Sequence, residues 1–507
     1  MKLKTLKIQN FRGYKKEISI DIDDLTVFVG KNDIGKSTVL EALDIFFNDS
    51  KGIIKIDKED VNKTALKEGD NNIIISAIFT DLPKKIIIDS THETTFSKEY
   101  LLNKNGDLEI IKKYPNAGNA KVFIKSNHPT NEKCKDLLLK KLADYKKIIT
   151  ENKIQCENQS INSIMRKSIW DHFSNELQLQ EIEIDASKED AKNIWDKIRE
   201  YIPIYSLFQS DRKNSDSDNE VQDPLKEAVK QILKDEDIKE KFEYISKKVS
   251  NSLLEVSKST LEKIKQMNPE IANTLNPNIP SNETLKWIDV FKNVSIIGDD
   301  CIPINKRGSG VKRLILLNFF RAEAERRAKE SERPVIYAIE EPETSQHTDH
   351  QKILIRAFKE LAETNNTQIL LTTHSPIVVK ELKFENLRLI SNEEQDKIIT
   401  SIEKNNLPYP SLNEINFIAF RDLTEEYHNE LYGYIEAEGL LGSFKRGKQT
   451  MVYKKTYKGQ EKEENIILSE YIRHQIHHPE NSLNIKYTFE QLEESVNLMR
   501  EFIIDNK

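Results

Sequence analysis

One octapeptide restricts the fold of this chain more than any other feature. Gly30 to Ser37 reads GKNDIGKS and directly follows the apolar run Leu25, Val27, Phe28 and Val29. The spacing G-x-x-x-x-G-K-S/T calls for a strand before it and a helix after it. Such a loop works by turning backbone N–H groups inward around a phosphate. Residues 25–29 supply the strand. Thr38 to Phe47 supplies the helix, with Leu40, Leu43 and Phe47 at helical spacing. On this reading Gly30, Asn32, Gly35, Lys36, Ser37 and Thr38 form the phosphate cradle. Lys36 adds a point charge, and the Ser37 hydroxyl is a ligand for Mg²⁺. The alternative is a glycine turn joining two core elements.

At 507 residues the chain has room for roughly two to four domains. No apolar run approaches the roughly 18 residues that span a bilayer, so a membrane is not an expected partner. The opening MKLKTLKIQNF alternates like a strand and lacks the apolar stretch of a signal peptide. Cys134, Cys156 and Cys301 are far apart and form no CxxC pair, which points to a reducing cytoplasm. The net charge is −7, so nucleic-acid binding would need a local basic surface.

Residues 1–127 read as strands around the loop, among them Leu3 to Ile8, Ile18 to Ile22 and Ile73 to Phe79. Residues 128–200 are rich in Lys, Glu and Asn with helical spacing, and read as a helical insertion. Residues 201–400 return to alternating strands and helices, starting with the apolar 201–208 (YIPIYSLF). Within them, Pro224 opens one helix, and Phe242, Ile245, Val249, Leu253 and Val256 mark a second. Both fit a helical arm packed on itself, or a dimer contact through the same stripe. Residues 410–507 read as a separate helical module.

Three later segments carry chemistry. Pro334 to Glu343 is an apolar strand ending in two carboxylates, Glu340 and Glu341. Glu340 is placed to hold Mg²⁺ and Glu341 to polarise an attacking water. A core strand running into an acidic turn is the alternative. Gln368 to Pro376 is a second buried strand, ending at His374, a residue placed to sense the γ-phosphate or to serve structure alone. Arg307 to Arg313 (RGSGVKR) puts Ser309 and Gly310 in a glycine-bounded turn before a helix, which is either an anion site or a plain helix cap. His347 and His350 have i, i+3 spacing, but no matching ligand set accompanies them.

In this order the motifs resemble the ABC-type ATPases of the SMC and RecF group, and among them the overcoming-lysogenisation-defect (OLD) branch. Leu6 to Tyr14 (LKIQNFRGY) is similar to that group's first strand. Gly308-Ser309-Gly310 resembles its signature motif, with Val311-Lys312 in place of the usual Gly-Gln. Glu341-Pro342-Glu343, His347 and Gln351 resemble the run from Walker B to the D-loop. The resemblance covers about 1–100 and 200–380. It implies an α/β fold: an ABC-type P-loop ATPase head with a helical insertion and a mostly α-helical C-terminal module. It implies ATP and Mg²⁺, with Glu341 and His374 catalytic and Gln209 a Q-loop ligand of Mg²⁺. It also implies that Ser309 and Gly310 of one subunit face the loop of another, in a homodimer or higher oligomer. The role implied is bacterial anti-phage defence, akin to Septu-type systems. Nucleic acid and a separate nuclease subunit are the expected partners, and a RecF-like DNA-repair ATPase is the alternative.

Many OLD proteins carry a Toprim nuclease with a D-x-D motif, and residues 380–507 contain none. Arg473 to His478 fits the R-x4-H pattern and resembles the active motif of HEPN ribonucleases. There arginine would hold the scissile phosphate and histidine would move a proton. Helix packing, or docking of a separate effector, is the alternative. Arg421 and His428 give a second, looser R-to-H spacing. Lys445, Arg446, Lys448, Lys454, Lys455 and Lys458 interleave with Tyr453 and Tyr457, as a nucleic-acid track or a solvated loop. Thr488 with Gln491 should cap a final helix.

Overall fold

The computed structural model describes residues 1–88, 92–209, 238, 240–244, 247–248, 251, 334–344, 346–364, 366–393, 396–403, 406–457 and 460–506. The chain divides into two compact units, Met1–Leu207 with Glu323–Lys507, and Phe208–Ala322. Most of the arm expected from Pro224 through Val256, and all of the Arg307–Arg313 motif, lie outside the described residues.

Strands β1 (Lys2–Gln9), β2 (Ile18–Asp21) and β3 (Leu25–Val29) come first, then β4 (Asn72–Thr80). A short hairpin, β5 (Ile86–Ile87) and β6 (Glu93–Thr94), precedes β7 (Leu108–Pro115), β8 (Lys121–Pro129) and β9 (Leu179–Asp185). The first sheet has the order β2-β1-β4-β7-β8-β9 and is antiparallel throughout. Then come β10 (Ile204–Phe208), β11 (Val335–Glu340), β12 (Thr367–Thr372), β13 (Leu387–Glu393) and β14 (Asp396–Ser401). The second sheet has the order β10-β11-β12-β3-β13-β14. Its neighbours from β11 through β13 run parallel, and β14 runs antiparallel to β13.

Every residue of β3, β11 and β12 is buried. Continuous apolar runs such as LTVFV and VIYAIE are what a parallel strand covered on both faces requires. The helix Lys36–Asn48 buries Val39, Leu40, Leu43, Ile45 and Phe46, and packs against β11 and β12 of one sheet and β4 of the other. Gln368 on β12 also ties the sheets together. Its side-chain amide accepts from the Leu3 N–H and donates to the Leu3 carbonyl, both at 2.8 Å.

Residues 128–200 form three helices, Leu142–Glu151, Asn162–His172 and Glu189–Tyr201, together with β9. Their apolar residues, among them Tyr145, Met165, Trp170 and Ile198, join the same hydrophobic core as the first sheet. The insertion is therefore not purely helical, and its core is not separate. β9 escaped the helical reading because it is an edge strand with polar residues along most of its length. Inside this core Arg166 and Glu99 pair at 2.8 Å, with both side chains almost fully buried. Thr94 Oγ1 donates to the other Glu99 oxygen at 2.8 Å.

The C-terminal residues form helices Leu412–Phe420, Glu425–Ala437, Leu441–Lys445, Leu468–His477 and Phe489–Asp505, plus a hairpin of β15 (Thr450–Tyr457) and β16 (Gln460–Ile467). Tyr427, Leu431, Ile435, Phe444, Val496 and Met499 make a core of their own. Thr488 and Gln491 form the expected reciprocal cap. The basic stretch from Lys445 to Tyr457 is not a loop, since its larger part is the strand β15. Lys454 pairs with Glu463 at 3.2 Å, and Lys455 pairs with Glu464, both across the hairpin. Tyr453 is buried and stacks on His474 at 5.0 Å. No helix of the described residues is long and apolar enough to cross a membrane.

Removing one member of a buried ion pair leaves the other charge without compensation. Arg166→Met should therefore destabilise the fold by about 3 kcal/mol. Arg166→Met combined with Glu99→Gln should recover part of that loss. Urea unfolding of the two variants checks both expectations.

Candidate nucleotide site

The phosphate loop leaves β3 at Gly30, whose φ is 150°. A Cβ there would sit 2.7 Å from the Ile390 carbonyl oxygen of β13, so only glycine fits. Gly35 (φ 101°) caps the helix Lys36–Asn48 and provides no side-chain acceptor for its first turn. Those first N–H groups have no partner within the helix and are available to an anion. Ser37 and Thr38 stand half-buried in that first turn, and Asn32 is exposed.

Lys36 is buried and donates to the carbonyls of Gly30 (2.9 Å) and Lys31 (3.0 Å). Burial pushes its pKa down, while Glu341, Glu343 and Asp33 pull it back up. The ammonium thus sits desolvated inside the loop, under the influence of Asp33 of the loop and of the two carboxylates that follow β11. These features fit a polyphosphate: glycines where a Cβ would collide, N–H groups without acceptors, and a buried cation.

Strand order supplies the rest of the site. β12 lies between β3 and β11, with Thr372 level with both Phe28 and Glu340. The carboxyl ends of three parallel strands therefore deliver the loop, the Glu340–Glu343 run and His374 to one edge of the sheet. Glu340 is buried at the end of β11. Glu341 follows at φ 39°, a strained conformation for a non-glycine residue. Its N–H holds that turn by donating to the Thr372 carbonyl at 3.0 Å and to Thr372 Oγ1 at 3.2 Å.

His374 Nδ1 lies 3.3 Å from Glu341 Oε1 and 3.7 Å from Glu343 Oε1. An imidazole nitrogen facing two carboxylates carries the proton, which leaves Nε2 as the acceptor in the neutral ring. Glu343 is buried and fixes the turn beneath. Its Oε1 accepts from Thr373 Oγ1 at 2.6 Å and from the His374 N–H at 3.0 Å. The sequence reading gave Glu343 no individual role. The available signal was the second acid of Glu-Pro-Glu, but its partners lie one strand away. Gln351 links the two segments by accepting from Ser375 Oγ at 2.7 Å. His347 caps the helix Thr348–Ala362, and no group of three potential metal ligands occurs among the described residues.

The loop also touches the C-terminal residues. Lys31 Nζ lies 5.1 Å from the centre of the Phe420 ring. Lys380, in the short helix after His374, lies 4.5 Å from that of Tyr409. Gln209 directly follows β10. Ser309 and Gly310 lie outside the described residues.

Arg473 and His478 have separate partners. Arg473 pairs with Glu436 at 3.0 Å and lies 4.3 Å from the Tyr432 ring centre, held on a neighbouring helix. His478 stands exposed past the helix end, 3.2 Å from Glu480. His428 is sealed in the core with Nε2 2.9 Å from Ser495 Oγ, and burial pushes its pKa down to about 4.

The family described as AAA ATPase domain matches residues 1–379. An OLD nuclease of Thermus scotoductus is 35% identical over 103 residues, which cover 20% of this chain and 19% of that protein. Endonuclease GajA of Bacillus cereus (strain HuB5-5) is 24% identical over 427 residues, covering 74% of this chain and 58% of that protein. The chain thus spans well under two thirds of the length of these curated relatives. The SMC head domain from Thermotoga maritima aligns over 80% of this chain and 100% of its own, at 13% identity and a TM-score of 0.35. With three quarters of its length matched, the chain belongs to the AAA ATPase domain family, and its described residues form a mixed α/β fold.

Proposed function

We propose that this chain binds ATP with Mg²⁺ at Gly30–Thr38, hydrolyses it, and uses the cycle to gate a nuclease effector in anti-phage defence. The observation that carries this reading is the meeting of the phosphate loop, Glu340, Glu341 and His374 at the carboxyl ends of three adjacent parallel strands. Lys36 and the N–H groups of the loop hold the phosphates. Ser37 and Glu340 would hold Mg²⁺, which would supply charge neutralisation for the transferred phosphoryl group. Glu341 takes a proton from water as the water oxygen bonds to the γ-phosphorus. The bond to the bridging oxygen breaks, leaving ADP and phosphate. His374, whose Nδ1 lies 3.3 Å from Glu341 Oε1, orients that carboxylate and responds to the γ-phosphate.

Ser309 and Gly310 complete the site from a second subunit, so that ATP closes a homodimer or higher oligomer and hydrolysis reopens it. The contacts of Lys31 with Phe420 and of Lys380 with Tyr409 support gating, because they tie both halves of the nucleotide site to the C-terminal residues. Those residues dock a separate nuclease subunit in this reading. The engagement of Arg473 by Glu436 and Tyr432 supports helix packing over a ribonuclease centre formed by Arg473 and His478. The names of the relatives, OLD nuclease and endonuclease GajA, support a nuclease-linked role acting on nucleic acid.

Lys36→Ala should abolish ATP binding in a fluorescent-nucleotide titration, and an unchanged affinity would refute the loop assignment. Glu341→Gln should accumulate as an ATP-bound dimer, read by light scattering on a sizing column; a monomer at saturating ATP contradicts the shared site. Co-purification from the native host should bring down a nuclease whose activity depends on ATP. ATPase stimulation by DNA ends, with no associated nuclease, would favour the repair alternative. RNA cleavage by the chain alone, lost in Arg473→Ala and His478→Ala, would restore the ribonuclease reading.

A further inference from the structure

Lys397 stands on β14, far in sequence from the phosphate loop, yet its ammonium donates to the Ile34 carbonyl at 2.7 Å. Its stem lies in a slot made by two glycines. A Cβ on Gly13, in the turn between β1 and β2, would collide with Lys397 Cε and lie 2.9 Å from Nζ. A Cβ on Gly35 would lie 2.8 Å from Nζ. The Tyr14 ring flanks the slot, its centre 5.8 Å from Nζ. Gly35 is also required by its φ, but Gly13 is not in the left-handed region. A side chain at position 13 would therefore have to displace the lysine stem.

Two adjacent carbonyls of the loop are held in this way. Lys397 holds that of Ile34, and Tyr14 Oη holds that of Gly35 at 3.1 Å. In a trans peptide the carbonyl and the following N–H point in opposite directions. Fixing the Ile34 and Gly35 carbonyls thus fixes the N–H groups of Gly35 and Lys36 on the other side, toward the cradle. The slot also strips water from the ammonium, which lowers the Lys397 pKa, and Asp33 of the loop is the charge that opposes this.

We propose that Lys397 is a positioning residue for the nucleotide: reaching in from β14, it holds the Ile34 carbonyl from behind the loop and so aims the Gly35 N–H into the cradle. The inference rests on the reading of the loop as an ATP site. Two variants test it by different routes. Lys397→Met removes the ammonium. Gly13→Ala keeps the ammonium but fills the slot and expels it.

Each should raise the KM for ATP about tenfold, the loss of one charge-assisted hydrogen bond. In each the fall in kcat should be smaller than the rise in KM. Thermal unfolding without nucleotide shows whether a variant folds, and Gly13→Ala carries the test should Lys397→Met fail to fold. If both variants bind ATP like the unaltered protein while Lys36→Ala does not, the role of Lys397 is overturned and the ATP site stands. If Lys36→Ala is also without effect, both are overturned. A fall in kcat as large as the rise in KM contradicts a positioning role as well.

Discussion

A helix that begins without a side-chain cap leaves its first N–H groups without acceptors, and this constraint organises the rest of the structure. Gly35 offers the helix Lys36–Asn48 nothing to bond to, and the loop before it is pinned by Tyr14, Lys36 and Lys397. Half-buried donors without acceptors in the helix, beside a desolvated ammonium, favour an anionic ligand. A bound polyphosphate satisfies both at once. The same helix fills the core between the two sheets, so the architecture that stabilises the fold also fixes the direction of its N-terminus.

The carboxylates are arranged with similar economy. Glu340 ends a fully buried strand, and Glu341 is held in a strained turn by Thr372. Glu343 is turned inward to brace the backbone and ring of His374. Three acids within four residues thus have three different surroundings, which suits them to three different tasks: holding a metal, accepting a proton and positioning a histidine. Placing them beside Lys36 also limits the cost of collecting negative charge at one edge of the sheet.

Much of this was legible in the sequence, because it is written in local patterns. The apolar runs of β3, β11 and β12, the glycine spacing of the loop and the cap formed by Thr488 and Gln491 each need only a few neighbouring residues to be read. What stayed hidden depends on distant pairing. Nothing near Lys397 announces that it reaches Ile34, and nothing near Glu343 announces that it holds the His374 N–H. Edge strands misled for a related reason. β9 and β16 carry polar side chains on most of their length, so their composition mimics a solvated helix or loop until a partner strand is known. The glutamate partners of Lys454 and Lys455 on β16 are likewise visible only once the two strands of the hairpin are paired.

In the proposed site one triphosphate is grasped jointly by the loop and by the ends of β11 and β12. A crystal structure grown with a non-hydrolysable ATP analogue and Mg²⁺ tests this most directly. The account predicts density for the phosphates over the N–H groups from Gly35 to Thr38, with the metal between Ser37 and Glu340. A nucleotide bound elsewhere, or a loop that stays empty at saturating analogue with Lys36 still bonded to Gly30, would contradict it.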